Sequence, residues 1–214
     1  MMIKTIIAGP FETNCYIVHN EINKSAILID APPQSFEEVN EFLSKKNLNL
    51  EYLILTHGHI DHIADANKFK TNFNTKILMH RNDLFWIHPP DFMLNLVNND
   101  YTQFDVDIIL NGEEIINSAL GKFKILHTPG HTQGGICIYF EKDNILFTGD
   151  TLFQESVGRV DLPGGSMDSL IKSIIEKLFI LPNETIVYPG HGDSTNIINE
   201  KKFNPYLKNN GDKK

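Results

Sequence analysis

The chain has 214 residues, enough for one domain with a sizeable core and too few to make two domains the expectation. It is 41% apolar and 21% charged, an ordinary globular balance, and 27 Asp and Glu against 19 Lys and Arg give a formal charge of −8. That acidity argues against nucleic acid as the main partner, and apolar runs such as "AILID" and "YLILT" are too short to cross a bilayer.

The N-terminal "MMIKTIIAGPFETN" carries one Lys and a brief apolar run, then turns polar, so it reads as a first strand and not as a signal peptide. "MIKTIIAG", "NCYIVHN" and "KSAILIDAP" are short strands rich in β-branched residues and parted by turn residues. "SFEEVNEFLSKKN" repeats Phe36, Val39, Phe42 and Leu43 at helical spacing. Strand "EYLILT", helix "HIADANKFKTNF" and strand "KILMH" follow. Residues 81–104 mix aromatics with a Pro-Pro break, which predicts a short helix plus an excursion loop. Phe85, Trp86 and Phe92 in that segment line a cleft or cover core, and the sequence leaves both readings open. Strands "VDIIL", "KFKILHT", "GICIYF" and "NILFTG" come next, then a helix near 166–180 capped by Ser166, then strand "ETIVYPG". Strand-rich blocks alternating with helices, in two similar halves, predict two sheets packed face to face with helices outside. Cys15 and Cys137 have no spacing motif and sit among apolar residues, which predicts buried thiols in a reducing compartment, the cytoplasm.

Four points in the chain share one grammar. "EYLILT" runs out at His57, "KILHTPG" at His131, "NILFTG" at Asp150 and "TIVYPG" at His191. Three of these residues follow a Gly, which permits a tight turn at the strand end. "HGHIDH" adds His59, Asp61 and His62. Strand ends on one sheet edge lie close in space, so seven side chains can converge. Imidazole and carboxylate donors suit Zn, and also Fe or Mn. Seven are too many for one tetrahedral ion and suit two ions about 3.5–4 Å apart. His19, His80, His88 and His127 are expected to be structural.

"THGHIDH", "TPGHTQGGI", "FTGDTLF" and "YPGHG" resemble the successive motifs of the metallo-β-lactamase superfamily. The resemblance covers residues 2 to about 208 as a single domain, leaving 209–214 as a frayed tail. It implies an α+β fold of the αββα sandwich type, two mixed β-sheets with helices on the outer faces and a dinuclear site at one edge. It further implies that His57, His59 and His131 hold one metal, that Asp61, His62 and His191 hold the other, and that Asp150 bridges them. The second His of "HGHIDH", where the flavodiiron pattern has Glu, argues against oxygen reduction at a di-iron centre.

"GDTLFQESVGRVDLPGGS", "LPNETIVYPGHGDSTNI" and "NPYL" are similar to the small glyoxalase II proteins, the hydroxyacylglutathione hydrolases. The implied reaction is hydrolysis of an acyl thioester by a hydroxide bridging two divalent ions, zinc in the first reading, with iron or manganese as alternatives. Asp150 bridges, and Asp61 is a ligand that can also accept the nucleophile's proton. Full-length glyoxalase II has a further helical segment for glutathione, and this sequence stops near the metal core, so the thiol carrier is left open. The expected partner is a small-molecule thioester, with neither nucleic acid nor membrane, and the pattern carries no signal of oligomeric state. Arg159 and Asp161 in "GRVDLPGG" have two readings. Arg159 meets a substrate carboxylate with Asp161 orienting it, or the pair pins a Gly-rich loop, which is the favoured expectation. The main rival activity is an iron-dependent persulfide dioxygenase, whose relatives share the "GRxD" element and use positions matching His57, His131 and Asp150. A lactonase on the same metals comes after it, and a metal-dependent binding module without turnover is the third rival.

Overall fold

The structure is a computed structural model that describes residues 1–97 and 100–207. The expected frayed tail, 209–214, lies outside the described residues. The first sheet holds β1 (Met2–Ala8), β2 (Thr13–Asn20), β3 (Ser25–Ile29), β4 (Asn49–Ile54), β5 (Lys76–His80) and β6 (Ile108–Leu110), in that spatial order. β1 to β3 pair antiparallel, and β3 to β6 pair parallel. The second sheet is built from β7 (Ile115–Ser118), β8 (Gly121–His127), β9 (Ile136–Phe140), β10 (Ile145–Gly149), β13 (Ile186–Pro189) and β14 (Thr195–Asn196). Its order is β14-β13-β10-β9-β8-β7, and only the β10–β13 pair is parallel. β11 (Leu152–Phe153) and β12 (Ser156–Val157) form a short separate ribbon.

Period-two alternation sends each strand's side chains to two different cores. Along β2 and β3, Tyr16, Val18, Ile27 and Ile29 meet Phe123, Ile125, Ile138 and Phe147 of the facing sheet. The intervening Cys15, Ile17, Ala26 and Leu28 pack outward with Val39, Leu43 and Phe69. On the other sheet Cys137, Tyr139 and Leu146 pack outward with Leu170, Ile174 and Leu178. The result is four layers, helix–sheet–sheet–helix, as expected. Each fully buried Leu, Ile or Phe contributes about 1.5–3 kcal/mol of transfer free energy, so the three packed core layers together carry the stability.

The outer helices are α1 (Phe36–Lys46), α2 (Ile60–Ile63), α3 (Ala66–Phe73), α4 (Asp91–Leu94), α5 (Met167–Ser173) and α6 (Ile197–Phe203). α1 has Glu37 and Glu38 in its first turn and Lys45 and Lys46 in its last, which complements the helix dipole. Asn47 ends it in the left-handed region at φ 51°. The stretch read as one helix, "HIADANKFKTNF", is divided. Asp65 leaves helical geometry (φ −91°, ψ 4°) because its side chain accepts from the Phe36 N–H at 3.0 Å, at the start of α1, while its own N–H donates to the Ala31 carbonyl at 2.9 Å.

Ser166 caps α5 as expected, its hydroxyl accepting from the Ser169 N–H at 3.3 Å. The helix then widens into a π-type turn over Ile174–Leu178. β7, the ribbon, β14 and α6 are additions to the sequence reading. No helix among the described residues is long and apolar enough to cross a membrane. Both cysteines are buried free thiols, and burial pushes the Cys137 thiol up to about 11.

Candidate metal centre

All seven expected donor residues meet at one edge of the sandwich, at the ends of β4, β8, β10 and β13. β4 ends at Ile54 and delivers His57, and His59 leads into α2, which carries Asp61 and His62 on its single turn. Gly149 and Gly190 let Asp150 and His191 approach. Gly149 sits at φ +47°, and a Cβ there would lie 2.5 Å from Thr56 Oγ1. A Cβ on Gly190 would lie 2.2 Å from Asp150 Oδ1 and 2.8 Å from His62 Cε1. Only glycine fits at either point.

Three overlapping groups of donor atoms form, each with its atoms within 4.8 Å of one another: His57–His59–His131, His57–His62–Asp150 and Asp61–His62–His191. In the first, His131 Nε2 lies 2.8 Å from His59 Nδ1 and 3.3 Å from His57 Nε2. In the last, His62 Nε2 lies 3.3 Å from His191 Nε2, and Asp61 Oδ2 is 3.5 Å and 3.4 Å from these two nitrogens. Asp150 stands between the sets, Oδ1 at 3.4 Å from His62 Nε2 and Oδ2 at 3.4 Å from His131 Nε2.

The outer nitrogens fix the tautomers. His131 Nδ1 donates to the Arg159 carbonyl at 2.7 Å, and His191 Nδ1 donates to the Phe11 carbonyl at 2.9 Å. A carbonyl only accepts, so the proton is on Nδ1 and the Nε2 lone pair points into the cluster. His62 Nδ1 is held by Asp30 Oδ2 at 2.8 Å, and His57 Nδ1 by Thr56 Oγ1 at 3.0 Å. His62 and His191 thus turn their Nε2 atoms toward each other across 3.3 Å. His59 Nε2 and Asp150 Oδ1 are buried without a hydrogen-bond partner. Buried imidazole and carboxylate lone pairs converging in this way repel unless a cation lies among them, and the all-N/O set suits zinc, iron or manganese.

The electrostatics point the same way. Burial, then the neighbouring imidazoles, hold His57 well below the ordinary histidine range, and burial takes His59 down to about 4. These two are neutral imidazoles at neutral pH. Burial works against a charged His62 as well, yet Asp150, Asp61 and Asp30 outweigh it and raise its pKa well above normal. Burial would raise Asp150, but His62, His131 and His191 hold the carboxyl well below the ordinary range. Burial likewise opposes ionised Asp61, and His62 and His191 overcome it. The cluster thus favours positive charge at its centre and negative charge on both carboxylates.

A cleft of about 690 Å³ opens over the cluster, lined by His59, Asp61, His131, Asp150 and His191 together with Phe11, Phe92, Phe153, Arg159 and other residues. Phe92 therefore faces the cleft. Trp86 does not: it is buried, its ring 5.2 Å from the His59 ring, and it packs against Gly58. Phe85 packs against Trp86 at a tilt, their ring centroids 4.6 Å apart, and is exposed outside the cleft lining. Arg159 and Asp161 form a two-bond pair, both bonds 2.7 Å, with side chains 63% and 66% exposed. Arg159 reaches the cleft rim and Asp161 does not line it. His19 is buried, His88 is exposed, and His80 stacks on His127 at 4.1 Å; all three groups lie apart from the donor sets.

Two supporting carboxylates escaped the sequence reading. Asp30 holds His62 and also accepts from the Thr56 N–H at 2.7 Å and the Thr56 hydroxyl at 2.8 Å. It obeys the same grammar as the donors, a carboxylate at the end of the apolar strand "AILID". Asp83, buried, accepts from the Gly58 N–H at 2.9 Å, the Thr132 hydroxyl at 2.7 Å and the Gly134 N–H at 2.6 Å. It ties the His57–His59 loop to the loop after His131.

A model of the metallo-β-lactamase superfamily matches residues 8–191. The chain belongs to this superfamily. Among its relatives, hydroxyacylglutathione hydrolase GloC of Haemophilus influenzae is 36% identical over 210 residues, covering 97% of this chain and 98% of that protein. The solved structure of the BLEG-1 B3 metallo-β-lactamase superposes with a TM-score of 0.89 at 35% identity, covering 96% of this chain and 99% of that one. TTHA1623, solved in a di-iron-bound form, gives 0.82 at 29% identity, with coverage of 95% and 100%. ETHE1 from Myxococcus xanthus gives 0.81 at 25% identity, with coverage of 96% and 84%. Members of this superfamily are metallo-hydrolases in general, and this chain carries the matching His/Asp cluster.

Proposed function

We propose that the protein is a metal-dependent hydrolase of S-acyl thiols, of the glyoxalase II type. The observation that carries this is the pair of converging donor sets with Asp150 between them at the floor of a cleft. Two divalent ions held there, one by His57, His59 and His131 and the other by Asp61, His62 and His191, would supply a water that ionises near neutral pH and a Lewis acid for the acyl oxygen. The chain's own groups do the rest. The carbonyls of Arg159 and Phe11 and the carboxylate of Asp30 fix the inward lone pairs of His131, His191 and His62. Asp61 lines the cleft, is held ionised by His62 and His191, and accepts the proton of the attacking water. A C–O bond forms, the C–S bond breaks, and the electron pair leaves on sulfur. A thiol with a pKa of about 8.5 departs as thiolate without a general acid. No Tyr, Lys or Cys lines the cleft among the described residues, which suits that departure.

The similarity to GloC, which spans 98% of that protein's length, supports this reading. The similarity to BLEG-1 supports a second acyl substrate, the β-lactam ring. Its amide nitrogen is a poorer leaving group that requires a proton, so the thioester stands first. A persulfide dioxygenase would use one iron at His57, His131 and Asp150 while keeping the other histidines, and it is the "PGHG" element around His191, which resembles that of the hydrolases, that puts the hydrolase first. The test is a comparison of zinc-, manganese- and iron-loaded protein on S-lactoylglutathione, on acyl thioesters of small thiols, on a chromogenic cephalosporin and, for oxygen uptake, on glutathione persulfide. Thioester cleavage well ahead of the other two is expected. Rapid oxygen uptake by the iron form with no thioester cleavage would overturn the proposal.

A further inference from the structure

We infer that the cleft selects thioesters by an apolar group, and that neither glutathione nor another multiply charged carrier is its main recognition handle. This rests on the thioesterase reading and names its substrate class. The cleft walls beyond the metal-type residues are mainly Phe11, Phe92, Met93, Leu96, Phe153 and Leu162. Phe11, Phe92 and Leu96 are 45%, 62% and 45% exposed, so a group seated there removes apolar surface that the fold leaves in water. The volume, about 690 Å³, is that of a site for a drug-sized molecule.

The charge on these walls is the second part of the argument. Arg159 is the one Lys or Arg that lines the cleft among the described residues, and its guanidinium is already engaged by Asp161 through two bonds of 2.7 Å. A glutathione thioester brings two carboxylates, and the lining offers no unpaired Lys or Arg side chain to meet them. An aliphatic or aromatic acyl chain needs no such partner. It gains from burial at the mouth while its carbonyl reaches the cluster at the floor. α4 (Asp91–Leu94) and the following turn, Asn95–Val97, supply Phe92, Met93 and Leu96, which gives the segment after the Pro-Pro break a function as the specificity wall.

The experiment uses acetyl, butyryl, hexanoyl and octanoyl thioesters of N-acetylcysteamine, with S-lactoylglutathione alongside, on metal-loaded full-length protein. In parallel, calorimetry follows the uncleavable thioethers S-methyl- and S-octyl-N-acetylcysteamine and S-octylglutathione. The kcat/KM is expected to climb by about 100-fold or more from acetyl to octanoyl, since each buried methylene favours the transition state by severalfold. The octyl thioether should bind far more tightly than the methyl one, with glutathione adding little. The double variant Phe92→Ser/Leu96→Ser should lower the octanoyl-to-acetyl ratio about 10-fold or more and weaken octyl thioether binding to match. If no thioester is cleaved but the octyl thioether binds and the serine variant weakens it, the hydrolase reading falls and the apolar site stands. A flat chain-length profile, a preference of 10-fold or more for the glutathione carrier, or a serine variant that leaves both ratios unchanged would overturn the inference.

Discussion

Replacing Asp83 by Ala should loosen the metal centre although Asp83 is not a donor to it. The carboxylate is fully buried and every partner it has is a hydrogen-bond donor: Gly58 N–H, Thr132 Oγ1–H and Gly134 N–H, at 2.9, 2.7 and 2.6 Å. Burial pushes its pKa up, and these three donors pull against that rise. In Asp83→Ala the hydroxyl of Thr132 can turn away, but the two amides cannot. Each stranded amide costs about 1–3 kcal/mol, and relief of the carboxylate's own desolvation offsets part of the loss, which leaves a net of about 2–4 kcal/mol. That is a large share of the roughly 5–15 kcal/mol that holds a domain together.

Asp83→Asn should recover only part. One of its oxygens serves Gly58 and Thr132 and the other serves Gly134, so the amide nitrogen of Asn must face a donor on one side. Because Gly58 separates His57 from His59 and Thr132 follows His131, metal affinity should also fall about 10–100-fold in Asp83→Ala. Urea unfolding in the presence of chelator measures the first effect, and competition with a chromophoric chelator measures the second. A loss below about 1 kcal/mol together with unchanged metal affinity would refute the reasoning.

Asp150→Ala should weaken both metal positions and cut turnover by orders of magnitude, because Asp150 lies 3.4 Å from His62 on one side and 3.4 Å from His131 on the other. Asp161→Ala, which loses only an exposed pair with Arg159, should cost far less, and equal kinetic losses at equal metal content would reverse that ranking. The thiols give a pH prediction. Burial raises the pKa of both, Cys137 to about 11, so only about one in a thousand Cys137 side chains is thiolate at pH 8 in the folded state. Reaction with a disulfide reagent at pH 8 should therefore wait on unfolding, and prompt labelling of native protein would contradict the burial of these two side chains.

The convergence of seven His and Asp side chains was legible because four of them share a strand-end signature and the other three lie in "HGHIDH". A run of β-branched and apolar residues stops, and a His or Asp follows, three times behind a Gly. The layers were legible for a related reason: the unbroken apolar runs "CYIV" and "AILI" mark strands buried on both faces. Asp30 carries the same signature but is followed by Ala and Pro, with no histidine near it in the chain to draw notice. Asp83 has no signature at all, since two of its three partners are main-chain amides that any residue could supply. The break between α2 and α3 was hidden in the same way, because Asp65 is recruited by the start of α1, 29 residues earlier. β11, β12 and β14 have two residues each, too short for a period to show.

The two donor sets with Asp150 between them predict a dinuclear hydrolytic centre, and metal stoichiometry decides whether it forms. Elemental analysis of protein purified without added metal, and again after dialysis against excess zinc and removal of free ion, should give two ions per chain in the second sample. Asp61→Ala or His191→Ala should reduce this to one, because each belongs only to the second donor set. At most one ion per chain in the parent protein after zinc loading would contradict the account.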